Sequence, residues 1–135
     1  MLVEHARNLA GIRDASHAEY GAGGTPVITP LACSLQGREI TVDLIGGSLL
    51  ARLYAAGRVT ERTTCDYGLA LNAQHLAGEF GMQVAATDDT GEVRAIERRD
   101  HPFFVGTLYQ PQLRSTPGRP HPVFIGLLQA AIAAS

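Results

Sequence analysis

Leu2, Val3, Ala6, Leu9 and Ala10 recur at helical spacing, so residues 2–13 are expected to form an amphipathic helix. Its start has no Ser, Thr, Asp or Asn to cap the first N–H groups. Gly21 to Pro26 reads as a loop, and Val27-Ile28 opens a short strand. Ile40, Val42 and Leu44 alternate with Thr41 and Asp43, the period of a half-buried strand that Gly46-Gly47 ends. Ser48 is placed to cap a helix carrying Leu49, Leu50, Leu53 and Tyr54. Val59 to Tyr67 should be extended. Asn72 should cap a short helix running through Leu76 and Phe80. Met82–Ala86 and Val93–Glu97 read as a hairpin about Asp88-Asp89-Thr90-Gly91, where Gly supplies a positive φ and the acidic residues form a solvated tip. Phe103-Phe104-Val105 begins a buried strand to Tyr109, and Thr116 to Pro120 is a loop. Pro122 suits the first turn of a last helix with Val123, Ile125, Leu127, Leu128 and Ile132 inward.

This alternation of helical and extended segments makes one mixed α/β domain. With 135 residues, 45% of them hydrophobic, the chain has material for one core. Charged residues are 18%, below the roughly 25% of an average globular protein, so a disordered or solvated rod is excluded. Net charge is -2, and the basic run Arg98-Arg99 is cancelled by Glu97 and Asp100. Without a basic field, nucleic acid is not an expected partner. Charged residues near Met1 argue against a signal peptide, and no apolar run reaches membrane-spanning length. A cytoplasmic location is expected, with Cys33 and Cys65 as free thiols. The five histidines show no ligand spacing, and Asp88, Asp89 and Glu92 fit a hairpin tip better than a calcium loop. Gly21 to Gly24 lacks the Lys-Ser/Thr ending of a phosphate loop. No metal or cofactor is expected.

One segment goes further. His101-Pro102-Phe103-Phe104-Val105-Gly106-Thr107-Leu108-Tyr109-Gln110-Pro111-Gln112 resembles the run of the CTP synthase family in which HPFFV leads to a catalytic His-Pro-Glu. Ser115, Pro117, Arg119-Pro120 and Pro122 sit as in that family. Leu2 to Asn8 is similar to the helix after its nucleophile elbow. Gly47-Ser48, Leu53-Tyr54, Glu61-Arg62 and Tyr67 extend the likeness through the middle. The chain also resembles a bacterial group related to the CTP synthase C-terminal region, some members of which contain selenocysteine. The shared segments are Leu-Ala-Cys-Ser-Leu around Cys33 and Cys-Asp-Tyr-Gly-Leu around Cys65.

The resemblance implies the C-terminal part of a flavodoxin-like class I glutamine amidotransferase domain over residues 1–135. Such domains hydrolyse glutamine with a Cys-His-Glu triad. Here Gln110 stands at the base position and Gln112 at the orienting position. The family's nucleophile would lie upstream of Met1, which raises the expectation that the natural protein is longer. A carboxamide cannot serve as a general base near neutral pH. Thr64, Cys65, Asp66, Tyr67 and Tyr109 are expected to border the former glutamine pocket, with Cys65 and Cys33 as candidate thiols. Free cysteines are more often small buried apolar residues. The expected function is a module without glutaminase activity that binds a small molecule or a partner protein. The alternative is a glutamine-hydrolysing component of pyrimidine nucleotide biosynthesis, or a changed thiol chemistry using Cys33 or Cys65. A sheet lacking its first strands would expose inner strands, so self-association or cover by another chain is also expected.

Overall fold

The first helix, α1 (Leu2–Asn8), is shorter than the periodicity predicts. The N–H groups of Leu9 and Ala10 both reach back to His5 O, Ile12 N–H closes on Ala6 O, and Gly11 adopts φ +73°. A glycine in the left-handed region reverses the chain without a Cβ clash, so residues 9–13 leave the helix. Its start has no side-chain cap, as expected. The computed structural model describes residues 1–21 and 23–135; the part of the Gly21–Pro26 loop formed by Ala22 lies outside the described residues.

Among the described residues eight strands follow. β1 (Ala15–His17), β2 (Thr25–Pro30) and β5 (Tyr67–Leu69) form a small sheet in the order β1-β2-β5, with β1 parallel to β2. β3 (Arg38–Leu44), β4 (Arg58–Thr63), β6 (Met82–Asp88), β7 (Val93–Arg98) and β8 (Val105–Thr107) form a larger one in the order β4-β3-β6-β7-β8. Every pairing in the larger sheet is antiparallel. The predicted extended run Val59–Tyr67 is therefore two strands in different sheets, joined across Thr64–Asp66. β1 was not visible in the pattern; three residues are too few to show a period.

Two cores lie on opposite faces of the larger sheet. Adjacent residues on β7 serve them in turn: Ile96 packs with Leu2, Val27, Leu76 and Met82, while Ala95 packs with Val42, Leu50, Tyr109 and Val123. The first core is covered by α1, the small sheet and a 3-10 helix (Leu71–Gly78). The second is covered by α2 (Leu49–Tyr54) and α3 (Pro122–Ala133).

Ser48 caps α2 as expected, its Oγ accepting from Ala51 N–H at 3.0 Å. Asn72 caps nothing: Ala70 precedes the 3-10 helix, and its own N–H is held by Val27 O. Phe80 lies beyond that helix with φ +53°. The hairpin forms with Gly91 at φ +84°, but Asp88 is not a solvated tip. It is buried, and its carboxylate accepts from Thr90, Glu92 N–H and the buried Arg94 guanidinium. The strand expected from Phe103 to Tyr109 is regular only over Val105–Thr107. Pro122 opens α3, yet of the five residues expected inward only Val123 is buried. The helix meets the body through a narrow edge, Gly126 sitting so close to Leu53 that an added Cβ would lie 2.5 Å from its Cδ2. Ile125, Leu127, Leu128 and Ile132 consequently face outward.

Candidate functional site

The two sheets flank a slot of about 230 Å³. His17, Ile28, Tyr67 and Leu69 line it from the small sheet, and Ile96 and Thr107 from the large one. Met1 and Leu2 also line it. Gly106 lets the Met1 side chain lie close against the strand, since an added Cβ would come within 2.4 Å of the Met1 Cε and displace it.

Of the residues expected at a pocket, Cys65 and Tyr67 line this slot. Cys65 is half-buried, and its thiol donates to Tyr67 O at 3.2 Å. Among the described residues no hydrogen bond joins that sulfur to an imidazole or a carboxylate. Cys33 is exposed, contrary to the expected burial, and lines a separate cleft with Arg38, Thr41 and Asp88. The two thiols therefore do not share a pocket. The Asp66 carboxylate accepts from Ser34 Oγ at 2.6 Å and Gln36 Nε2 at 2.8 Å, tying the segment after Cys33 to the segment after Cys65. These bonds, that of Ser34 first, hold its pKa below the usual carboxylate value.

Gln110 joins two loops. Its N–H donates to Arg62 O at 3.0 Å, and its Oε1 accepts from Thr64 N–H at 2.7 Å. Thr63 Oγ1 continues the seam, donating to Leu108 O and accepting from Cys65 N–H. The side-chain carbonyl of Gln110 is thus committed to the backbone, which leaves its NH2 as the free end. Pro111 starts a short 3-10 helix (Pro111–Arg114), and Gln112 on it is exposed.

Tyr109 is fully buried and belongs to another cluster. Its hydroxyl lies 3.3 Å from that of Tyr54, which donates to Glu61 Oε1 at 2.8 Å. His121 Nε2 lies 3.0 Å from the same oxygen, and His121 Nδ1 accepts from Val123 N–H as the cap of α3. With Nδ1 accepting, Nε2 carries the proton and donates to Glu61. Burial drives the Tyr54 pKa far upward and pushes that of Tyr109 to about 12, so both remain phenols. His121 thus ties β4 to α3 through both ring nitrogens. In the sequence Glu61 is legible only through the family likeness, and His121 only as one more residue before a proline; no periodicity brings positions 60 residues apart together. His17 was missed as a slot residue for the same reason. It stacks near Tyr67 at 5.1 Å, and its Nδ1 accepts from Glu19 N–H.

No family model matches the chain. Individual proteins do. The chain is 32% identical to the CTP synthase of Caulobacter vibrioides, over 86% of its own length and 24% of that protein's. It is 37% identical to the CTP synthase of Synechococcus sp. strain CC9311, over 96% and 25% respectively. This chain is a CTP synthase glutaminase-like domain. It spans about a quarter of the length of the curated CTP synthases it matches. The fold agrees. The glutaminase domain of Trypanosoma brucei CTP synthase, solved with bound acivicin, superposes with a TM-score of 0.89 at 24% identity, over 98% of this chain and 56% of that one. A GMP synthase component from Thermoplasma acidophilum superposes with a TM-score of 0.58 at 14% identity, over 79% and 49%. The chain has the class I amidotransferase, flavodoxin-like fold, matched over part of the solved domain. Among the described residues, no helix is long and apolar enough to cross a membrane.

Proposed function

We propose that this CTP synthase-type glutaminase-like domain does not hydrolyse glutamine and instead binds a small molecule in the slot between its sheets. The observation that carries this reading is Gln110. It stands where the resemblance sets the base, its Oε1 is committed to Thr64 N–H, and a carboxamide does not take up a proton near neutral pH. Cys65 supports it, since its thiol is bonded to a carbonyl rather than to a base. The slot's volume lies below the roughly 300–1,000 Å³ of drug-sized pockets, which calls for a ligand of amino-acid size. Its walls are mainly apolar, with His17, Cys65, Tyr67, Arg94 and Thr107 as the polar residues that line it.

Ammonia release from glutamine, with the melting temperature followed as glutamine is added, tests both halves. The expected result is no ammonia above blank and a melting temperature raised by millimolar glutamine. That rise should disappear in Gly106→Leu, which crowds the slot. Gln110→His with Gln112→Glu should remain inactive, because no base–thiol bond is created. Ammonia released by the unmodified chain and lost in Cys65→Ser would overturn the reading. An unchanged melting temperature would remove glutamine as the ligand.

A further inference from the structure

Tyr54, Glu61 and His121 all line a cleft of about 680 Å³ between β4 and the segment from Leu113 to Pro122. It shares no lining residue with the slot. Glu61 is only 2% exposed. Its Oε1 receives both donors already described, from Tyr54 and His121, while its Oε2 has no partner among the described residues. A buried carboxylate oxygen without a donor is costly, and a cationic N–H group relieves it best. Three arginines meet the same cleft: Arg62 from β4, Arg114 from the short 3-10 helix, and Arg119 from the loop before α3. Arg114 is held by Glu39 at 3.2 Å. Arg62 and Arg119 are exposed, and neither guanidinium enters an ion pair among the described residues.

We propose that this cleft binds a small phosphorylated amine, its ammonium donating to Glu61 Oε2 and its phosphate held by Arg62 and Arg119. The charges select that class. Arg114 and Glu39 cancel, and His121, with one ring nitrogen accepting and the other donating, adds none. One buried carboxylate and two guanidinium groups remain. Their complement is a cation joined to a dianion. A phosphomonoester approaches two negative charges near neutral pH, whereas a carboxylate would leave one guanidinium unanswered. Guanidinium groups also grip phosphate oxygens in a bidentate fork. An amine alone or a phosphate alone answers half of the site. The cleft is roomy enough, lying within the roughly 300–1,000 Å³ of small-molecule pockets.

Isothermal titration of the full chain with O-phosphoethanolamine tests this, with ethanolamine and inorganic phosphate as its two halves. O-phosphoethanolamine should bind at least about tenfold more tightly than either half, since one charge-assisted hydrogen bond is worth about that factor. Arg119→Ala, at an exposed position, should weaken it about tenfold with melting unchanged. Glu61→Gln should remove the preference over inorganic phosphate. Where circular dichroism shows Glu61→Gln unfolded, Arg62→Ala with Arg119→Ala decides alone. Gly106→Leu should leave this binding unchanged, so its failure and that of the slot reading are told apart. No preference for O-phosphoethanolamine over its halves, or binding indifferent to the paired arginine substitutions, would overturn the proposal.

Discussion

His5 sits on α1 with its ring nearly inaccessible, edge-on to Phe80, and its Nε2 has no hydrogen-bond partner among the described residues. Burial, assisted by the nearby Arg98 charge, lowers its pKa below the ordinary 6.5. Between the folded value and 6.5 the unfolded chain holds more protons, so stability rises with pH there. The contribution is complete above about pH 6.5 and is lost as pH falls through the folded value. Urea midpoints between about pH 8 and 5 should decline on acidification, and His5→Leu should flatten that decline. Asp88 acts in a lower window. Burial alone would raise its pKa, but the hydrogen bonds of Thr90 and Arg94 outweigh burial and hold it below 3.8. Its share persists above pH 3.8 and is lost as pH falls through the folded value. His121 carries a different kind of stability. His121→Ala removes the α3 cap and leaves the buried Glu61 carboxylate without its imidazole donor. A loss of about 2–4 kcal/mol is expected in equilibrium unfolding, from one hydrogen bond to a charged group and one helix cap.

At the scale of elements, α2 shows how much a neighbouring strand can contribute. Ser48 supplies the cap that sequence predicts, and Ser48→Ala should cost about 1 kcal/mol. Glu97 on β7, buried and 48 residues away from Leu49, does more. Its carboxylate accepts from Leu49 N–H at 2.9 Å, from Leu50 N–H at 3.3 Å, and from Gln83 Nε2. A negative charge on unpaired helix N–H groups is favourable through both hydrogen bonding and the helix dipole. Glu97→Ala strands those donors, and we expect a loss of about 2–3 kcal/mol by urea titration, exceeding that of Ser48→Ala. Glu97 read as one residue of a charged run; only the register of β7 against β6 carries it under the helix.

Across the whole molecule the two sheets are unequal. The large one has five strands and a core on each face. The small one has three, of which β1 and β5 span three residues each and lie at its edges. Hydrogen exchange should therefore protect Val42, Ala86 and Ala95 roughly tenfold or more beyond Ile28 and Leu69, because opening the small sheet costs fewer buried contacts. Equal protection in both sheets would show that the molecule opens only as one unit.

Local chemistry was legible in the chain. Ser48 and Pro122 announce helix starts, Gly91 a hairpin turn, and the alternation of Ile40, Val42 and Leu44 a strand, because each rests on bonds and sterics within a few residues. The His101–Gln112 run carried the family. Tertiary structure decided what depends on distant partners. It placed Thr64–Asp66 between two sheets and set Cys33 and Cys65 in separate pockets. It also turned α3 so that Gly126, rather than the leucines and isoleucines, meets the body. An apolar stripe states that a face must be covered; which body covers it is set by packing across the chain, and a period of about 3.6 residues holds no record of that choice.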